Sequence, residues 1–361
     1  MFMFVAAAVV LQPSSAGVPA AGSAPVDWKA AEAPYLTDHV QLTLPDRFAR
    51  AGEAYFDHQS PPRWVVFQAI ERPPAGAPKD APVDTNYAMY VAKLRYEGAR
   101  VMGLEAPVRV SPAGSANTCG WFDPREAGTV VYGSTMVAPA QTDSPGYSRD
   151  RQRYSWQFPV EMEIVSVTAG RASNGGPDWS DGARTAAKVL GMSRPGYDAE
   201  GSWSADRRHY LYTHVAAGTS DPNIWVWDDV RREQTPLVGP PGYDGGPFFG
   251  PDGKWICYRS DRKGNNELQL FIAELARDDA SDPGRITGTR REIQLTDADG
   301  VVSWCPYWHP SGSYLVYASS AAGGHQNYEV MAIDLAPALA TAPGAEPPTA
   351  RTARLTHAPG F

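Results

Sequence analysis

The chain has 361 residues, room for one large all-β domain or two ordinary ones, and 43% apolar against 20% charged residues is a globular composition. Lys and Arg number 32 against 40 Asp and Glu, a formal charge of −8. Phosphate binding needs a basic field, so a general nucleic-acid surface is excluded.

The N-terminal stretch "MFMFVAAAVVLQPSSAGVPAAGSA" opens with an apolar run from Phe2 to Leu11. That run falls short of the roughly 20 residues a spanning helix needs. Residues 1–24 read instead as a signal peptide cleaved between Ala20 and Ala24, although the usual basic n-region is missing. No other run is a membrane candidate. The protein is therefore expected to be periplasmic or secreted, with 25–38 as a linker and 39–361 as one folded domain.

Val40 to Leu44, "VQLTL", reads as a lone strand, and five copies of one phrase follow it: "EAYFDHQSPPRWVVFQA", "CGWFDPREAGTVVYGS", "EGSWSADRRHYLYTH", "PFFGPDGKWICYRS" and "CPYWHPSGSYLVYAS". Each has a small or polar start, two bulky neighbours or their equivalent, a turn, and an apolar strand carrying an aromatic residue. These are strands A and B of a repeat. Strand C follows as "YAMYVAKL", "VEMEIVSV", "NIWVWDDV", "LQLFIAEL" and "NYEVMAIDL", and strand D as "APVRVS", "AKVLGM", "QTPLV", "REIQLT" and "TARLT". The 34 Gly and 33 Pro supply the turns between so many short strands. Repeats of about 40–50 residues built this way mark a propeller.

Propellers commonly let a terminal strand complete the blade begun at the other terminus, which removes an exposed edge. "VQLTL" suits that role. "APGF", Ala358 to Phe361, resembles the D-to-A connections "SRPGYDAEG" and "GPPGYDGG" stopped before their next strand. The expected fold is thus an all-β, six-bladed β-propeller of four-stranded blades with its last blade cut short, a five-bladed ring being the alternative.

"QLT", "GPDGKWICYRSDRKGNNELQLFIAEL" and "HPSGSYLVYASS" resemble the TolB-type propeller repeat, a relative of WD repeats, and the resemblance covers residues from about 39 to 361. It implies a protein-binding scaffold of the cell envelope. About 15 residues, Val26 to Val40, precede the first strand, too few for the small α/β domain that TolB carries before its propeller.

Motifs for chemistry are missing. No G-x-S-x-G elbow, H-E-x-x-H or C-x-x-C occurs, and the Gly-rich stretch around Gly253 and Lys254 has Phe248 and Trp255 where a phosphate loop needs Gly and Ser or Thr. His58, His209 and His309 fall in or beside A-to-B turns of different blades, so no histidine metal centre is expected. Cys119, Cys257 and Cys305 are expected to be buried thiols. The aromatic pairs Tyr55–Phe56, Trp121–Phe122, Phe248–Phe249 and Tyr307–Trp308 are expected to pack between blades, because adjacent strand residues face opposite sides.

Binding is expected where B-to-C and D-to-A loops emerge on one face, which would gather Tyr197, Asp198, Tyr243, Asp244, Asp261 and Arg262. The long B-to-C insertion "MVAPAQTDSPGYSRDRQRYSWQFP" adds Arg151 and Trp156, since arginine beside aromatics suits a protein hot spot. The expected function is non-catalytic binding of a protein or peptide, without metal or cofactor. Two alternatives are an enzyme whose central channel uses Asp198 and Asp244, either on a divalent cation or in acid–base chemistry, and the propeller module of a prolyl-oligopeptidase-like peptidase.

Overall fold

The computed structural model describes residues 27–74, 76–78, 85–140, 146–148, 153–155, 158–278, 281–321, 328–342, 344–345 and 350–357. The expected signal peptide and the final "APGF" lie outside the described residues.

A short helix, α1 (Trp28–Glu32), comes first, and five antiparallel sheets follow in chain order. Blade one holds β1 (Phe48–Phe56), β2 (Trp64–Glu71) and β3 (Ala88–Glu97), with β4 (Arg100–Leu104) and β5 (Val108–Arg109) both paired to β3. Blade two holds β6 (Asn117–Phe122) and β7 (Thr129–Ser134), then a hairpin of β8 (Gly146–Ser148) and β9 (Arg153–Ser155), then β10 (Glu163–Thr168). A second hairpin, β11 (Gly170–Arg171) and β12 (Pro177–Asp178), precedes the closing β13 (Lys188–Val189).

Blade three runs β14 (Gly196–Trp203), β15 (His209–Ala216), β16 (Asn223–Asp228) and β17 (Glu233–Val238). Blade four runs β18 (Asp244–Phe249), β19 (Trp255–Ser260), β20 (Gln269–Arg277) and β21 (Ile286–Gln294). Blade five runs β22 (Ser303–Trp308), β23 (Tyr314–Ser319) and β24 (Glu329–Asp334), then a helical turn α2 (Ala336–Ala340) and β25 (Thr352–Arg354). The chain forms two compact units, one of Val40–Gly146 and Ser155–Gln234, the other from Thr235 onward together with Tyr147–Tyr154 and the segment ending at His39.

Every A-to-B hairpin carries the same irregularity. In each blade the register slips so that two residues of the first strand oppose one aromatic of the second. The first bulge residue has positive φ in all five: Glu53, Cys119, Glu200, Gly246 and Cys305, between 49° and 59°. The residue opposite is Phe67, Tyr132, Tyr212, Tyr258 or Tyr317, which is the aromatic that recurs in strand B of the sequence repeat. A bulge sharpens the local twist and bends the strand. In the first unit this lets β1 and β14 both lie against β6, and in the second β18 lies against β22.

Close approach explains why the second bulge residue is glycine in two of the blades. A Cβ on Gly120 would stand 2.7 Å from both Met89 Sδ and Val66 Cγ2, and one on Gly201 would stand 2.3 Å from the end of the Tyr210 ring. Tyr210 is buried and held edge-on by Trp203 at 5.0 Å, so it has little room to yield. Gly201→Ala is therefore expected to destabilise by about 1–3 kcal/mol. A urea midpoint unchanged from the wild type would contradict this packing.

Within each unit the cores between blades are apolar. In the first unit Val66, Met89 and Val91 meet Phe122, Tyr132 and Val165, while Val131 and Ile164 meet Trp203, Tyr210 and Trp227. The second unit has Trp255, Leu270 and Ile272 against Trp308, Leu315 and Ile333. The aromatic pairs divide as strand geometry requires, most clearly at Trp308, which is buried, and Tyr307, which is exposed. Of the three thiols only Cys257 is buried. Cys119 and Cys305 are half-buried because they are bulge residues, whose side chains leave the regular packing of the sheet.

Val40–Leu44 forms no strand. A strand is stable only with a partner for its backbone groups, and no partner for it is present among the described residues. Five blades are described, as in the alternative reading of the repeats. The segment expected as a linker is instead ordered against blade five. Tyr35 and Leu36 pack on Tyr314, Val316, Ala332, Ala353 and Leu355. Glu32, also buried, accepts the amide of His357 at 2.5 Å and lies 2.8 Å from His39 Nε2.

Candidate functional site

Asp198 and Asp244 occupy one structural position in consecutive blades, two residues before the bulge. Both are fully buried. What surrounds them differs, because strand B presents a different partner at the cross-strand position.

In blade three the partner is His214, in register with Asp198. Its Nδ1 donates to Asp198 Oδ1 at 2.8 Å, and the Arg194 amide donates to Oδ2 at 2.6 Å. Tyr212 and Asn223 share this face of the sheet, since one lies two residues from His214 and the other opposite it. The Arg194 guanidinium covers Trp225 at 4.0 Å, and Trp225 meets the His214 ring edge-on at 5.9 Å. Glu163, at the start of β10, comes close enough to feel both Asp198 and His214, and burial raises its carboxyl above the usual range. Burial likewise raises the Tyr212 phenol. The result is a polar layer at the end of an apolar interface.

In blade four the cross-strand partner is Ser260, too short to do what His214 does. Neither oxygen of Asp244 accepts a hydrogen bond, and the nearest cation is Arg262 Nη2 at 3.6 Å. Burial raises the Asp244 carboxyl to about 7 with Glu292 adding to the rise, while Ser260 and Arg262 oppose it. Arg262 is engaged elsewhere, donating to Glu292 Oε2, Ser260 Oγ and the Tyr258 hydroxyl, each at 3.1 Å. Its guanidinium also lies 4.1 Å from the Phe271 ring. On the sheet's other face the buried Arg259 donates twice to the Tyr243 hydroxyl, at 3.1 and 2.7 Å.

The loop after β19 is held rigidly by its own side chains. Asp261 accepts the amides of Asn265 and Asn266 at 3.1 Å each, and Gly264 and Asn266 both take positive φ. Further bonds tie this loop to the connection into blade five. Glu267 accepts the Gly300 amide at 3.0 Å, Gln269 donates to Val301 O at 2.8 Å, and Lys263 pairs with Asp297.

The structure brings the expected site residues together in part. Tyr243, Asp244, Asp261 and Arg262 cluster in blade four, and Tyr197 and Asp198 in blade three. The two tyrosines and two aspartates belong to the start of strand A or its approach and are buried, whereas the sequence reading placed them on open loops. Tyr197 packs edge-on against Phe158 at 5.1 Å. Arg151 and Trp156 lie outside the described residues. His214, Arg194, Glu163 and Glu292 were not singled out in the sequence. His214 could have been found by pairing strands A and B of the repeat, since it faces Asp198 across the hairpin.

The histidines beside the A-to-B turns each have a local role. His58 Nε2 contacts Phe122 O at 2.9 Å, His209 lies between Asp206 and Asp228 at 3.6 Å from each, and His309 stacks on Tyr314 at 4.2 Å. Among the described residues no group of three or more His, Cys, Asp or Glu could hold a metal ion. No helix among them is long and apolar enough to cross a membrane.

Five antiparallel blades among the described residues, the first of five strands and the others of four, each carrying this repeat, make the fold a β-propeller. No family model matches the chain. Over 117 residues it is 31% identical to an uncharacterized protein of Agrobacterium fabrum, a match covering 32% of this chain and 34% of that protein. The chain thus matches about a third of the length of this curated relative. Among solved structures, TolB from Acinetobacter baumannii is 18% identical with a TM-score of 0.43, covering 75% of this chain and 50% of that one. Hydrazine synthase of Kuenenia stuttgartiensis is 11% identical with a TM-score of 0.50, covering 86% and 41%. At such identities the likeness is one of fold.

Proposed function

We propose that this is an exported, non-catalytic binding propeller of the cell envelope, which engages a protein or peptide partner at the loop edge of blade four. The observation that carries this reading is the preorganised loop from Asp261 to Glu267. Its amides are held by Asp261, and its flanks are tied to the connection at 297–301 by Glu267, Gln269 and Lys263. A surface already fixed in one conformation loses little entropy on binding, and loops on a rigid scaffold are where recognition residues usually sit.

The test is capture from an envelope extract with the full chain as bait, beside a Lys263→Glu/Asp297→Lys variant that keeps the pair and inverts its charges. Tyrosine substitutions at 197 and 243 would be poor controls, because both rings are buried. A protein identified with the wild type and lost with the charge-inverted bait supports the reading. Equal capture by both baits places recognition elsewhere and overturns the assignment to this edge.

One observation favours a second reading, an enzyme. Asp198 holds Nδ1 of His214, which orients the imidazole as an acid–base pair requires. A small molecule retained by the purified wild type and absent from His214→Gln would favour it over the scaffold.

A further inference from the structure

Blade four buries a carboxyl group beside a cation that is bound to a different carboxylate. Asp244 has no exposed surface and no hydrogen bond on either oxygen. Arg262 stands 3.6 Å away while donating to Glu292, which is 31% exposed and also receives the Tyr258 hydroxyl at 2.7 Å. The titratable and charged groups facing Asp244 are Arg262, Glu292 and Tyr258, with the Ser260 hydroxyl beside them. A buried carboxyl group that accepts no hydrogen bond, with its one cation engaged elsewhere, is favoured in its neutral form.

We propose that Asp244 and Glu292 share Arg262 as a proton-operated latch on the 261–267 loop. With Asp244 protonated, the guanidinium stays on Glu292. When the proton leaves to solvent, the guanidinium turns onto the new carboxylate, and Glu292 is freed at the loop edge. The inference rests on the binding reading, since it regulates the same edge. It follows that a partner placing a cationic side chain beside Glu292 binds more tightly once Asp244 has ionised.

Two features make the exchange feasible. The distance to be crossed is about that of a rotamer adjustment in a long side chain. Asp244 also titrates near neutrality, because burial lifts its carboxyl to about 7, whereas burial keeps the Tyr258 phenol protonated throughout. Arg262 directly follows Asp261, whose carboxylate holds the loop amides, so movement of one strains the anchor of the other.

Amide hydrogen exchange of the 261–267 loop in the full chain, from pH 5.5 to 8.5 and corrected for the intrinsic pH dependence, tests the latch without a partner. Protection in the wild type is expected to change roughly fivefold through neutrality, and to stay flat in Asp244→Asn. A flat wild type, or an Asp244→Asn profile that follows the wild type, overturns it. Should Asp244→Asn not fold, Glu292→Gln decides. Without the competing carboxylate Arg262 favours Asp244 at every pH, so the midpoint must move down, and an unmoved midpoint overturns the latch. The two readings fail separately. A loop that titrates while nothing is captured leaves the latch and removes the binding role, and capture without titration does the reverse.

Discussion

His214→Ala is expected to destabilise the protein by about 3–5 kcal/mol, because it strips the principal side-chain partner from a fully buried aspartate. After the substitution Asp198 would keep only the Arg194 amide on its other oxygen. The imidazole also fills space against Trp225, so a void is added to the loss of the bond. Asp198→Ala removes the carboxylate itself and should cost less. The double variant should cost less than the sum of the two, with a coupling of about 1–3 kcal/mol. Urea unfolding followed by tryptophan fluorescence measures all three. A His214→Ala loss below about 1 kcal/mol would mean that the pair is solvated and not a buried anchor.

Stability is expected to fall as the pH rises from about 4 to about 7, and Asp244 is the reason. Its folded carboxyl is raised to about 7, against about 3.9 in an unfolded chain. Between those values the folded state binds the extra proton, so the slope of unfolding free energy against pH is negative. The stabilisation is fully present below about pH 4 and is lost as the pH passes the folded value. At about 1.4 kcal/mol per unit the loss attributable to this group approaches 4 kcal/mol. Asp244→Asn carries no proton to lose, so the variant should show no such decline and should be more stable than the wild type at pH 8. Unfolding midpoints at pH 5 and pH 8 decide the matter. Parallel declines in both proteins would assign the pH dependence to other groups.

The two aspartates show how one repeat position acquires opposite properties. Each lies near the start of strand A two residues before the bulge, each is fully buried, and each faces a strand B residue in the same register. A histidine reaches the carboxylate of Asp198. The shorter Ser260 leaves Asp244 dependent on an arginine that has other partners. The difference is a matter of reach across about 5 Å between paired strands.

Much of the fold is legible in the residues alone. Five strand quartets follow from alternating apolar residues and Pro-Gly turns, since a two-residue period and a tight turn are local properties of the chain. Even the bulge leaves a trace there, because the aromatic in strand B recurs wherever two first-strand residues must share one partner. Val40–Leu44 shows the limit of such reading. Its residues have the pattern of a strand, yet a strand exists only through its neighbour's hydrogen bonds, and the sequence does not say whether a neighbour is present.

The site is less legible for a similar reason. Asp198 and Asp244 can be named from the repeated "GYD", but local residues cannot reveal that strand pairing buries both. Sequence by itself determined the repeat, its turns, the acidic charge and the positions that recur from blade to blade. Tertiary structure alone decided which of those positions lost their solvent and what each then met: a histidine for Asp198, and for Asp244 an arginine already claimed by Glu292. Burial and pairing depend on residues brought together from separate strands and blades, and the energy of a buried charge depends on both.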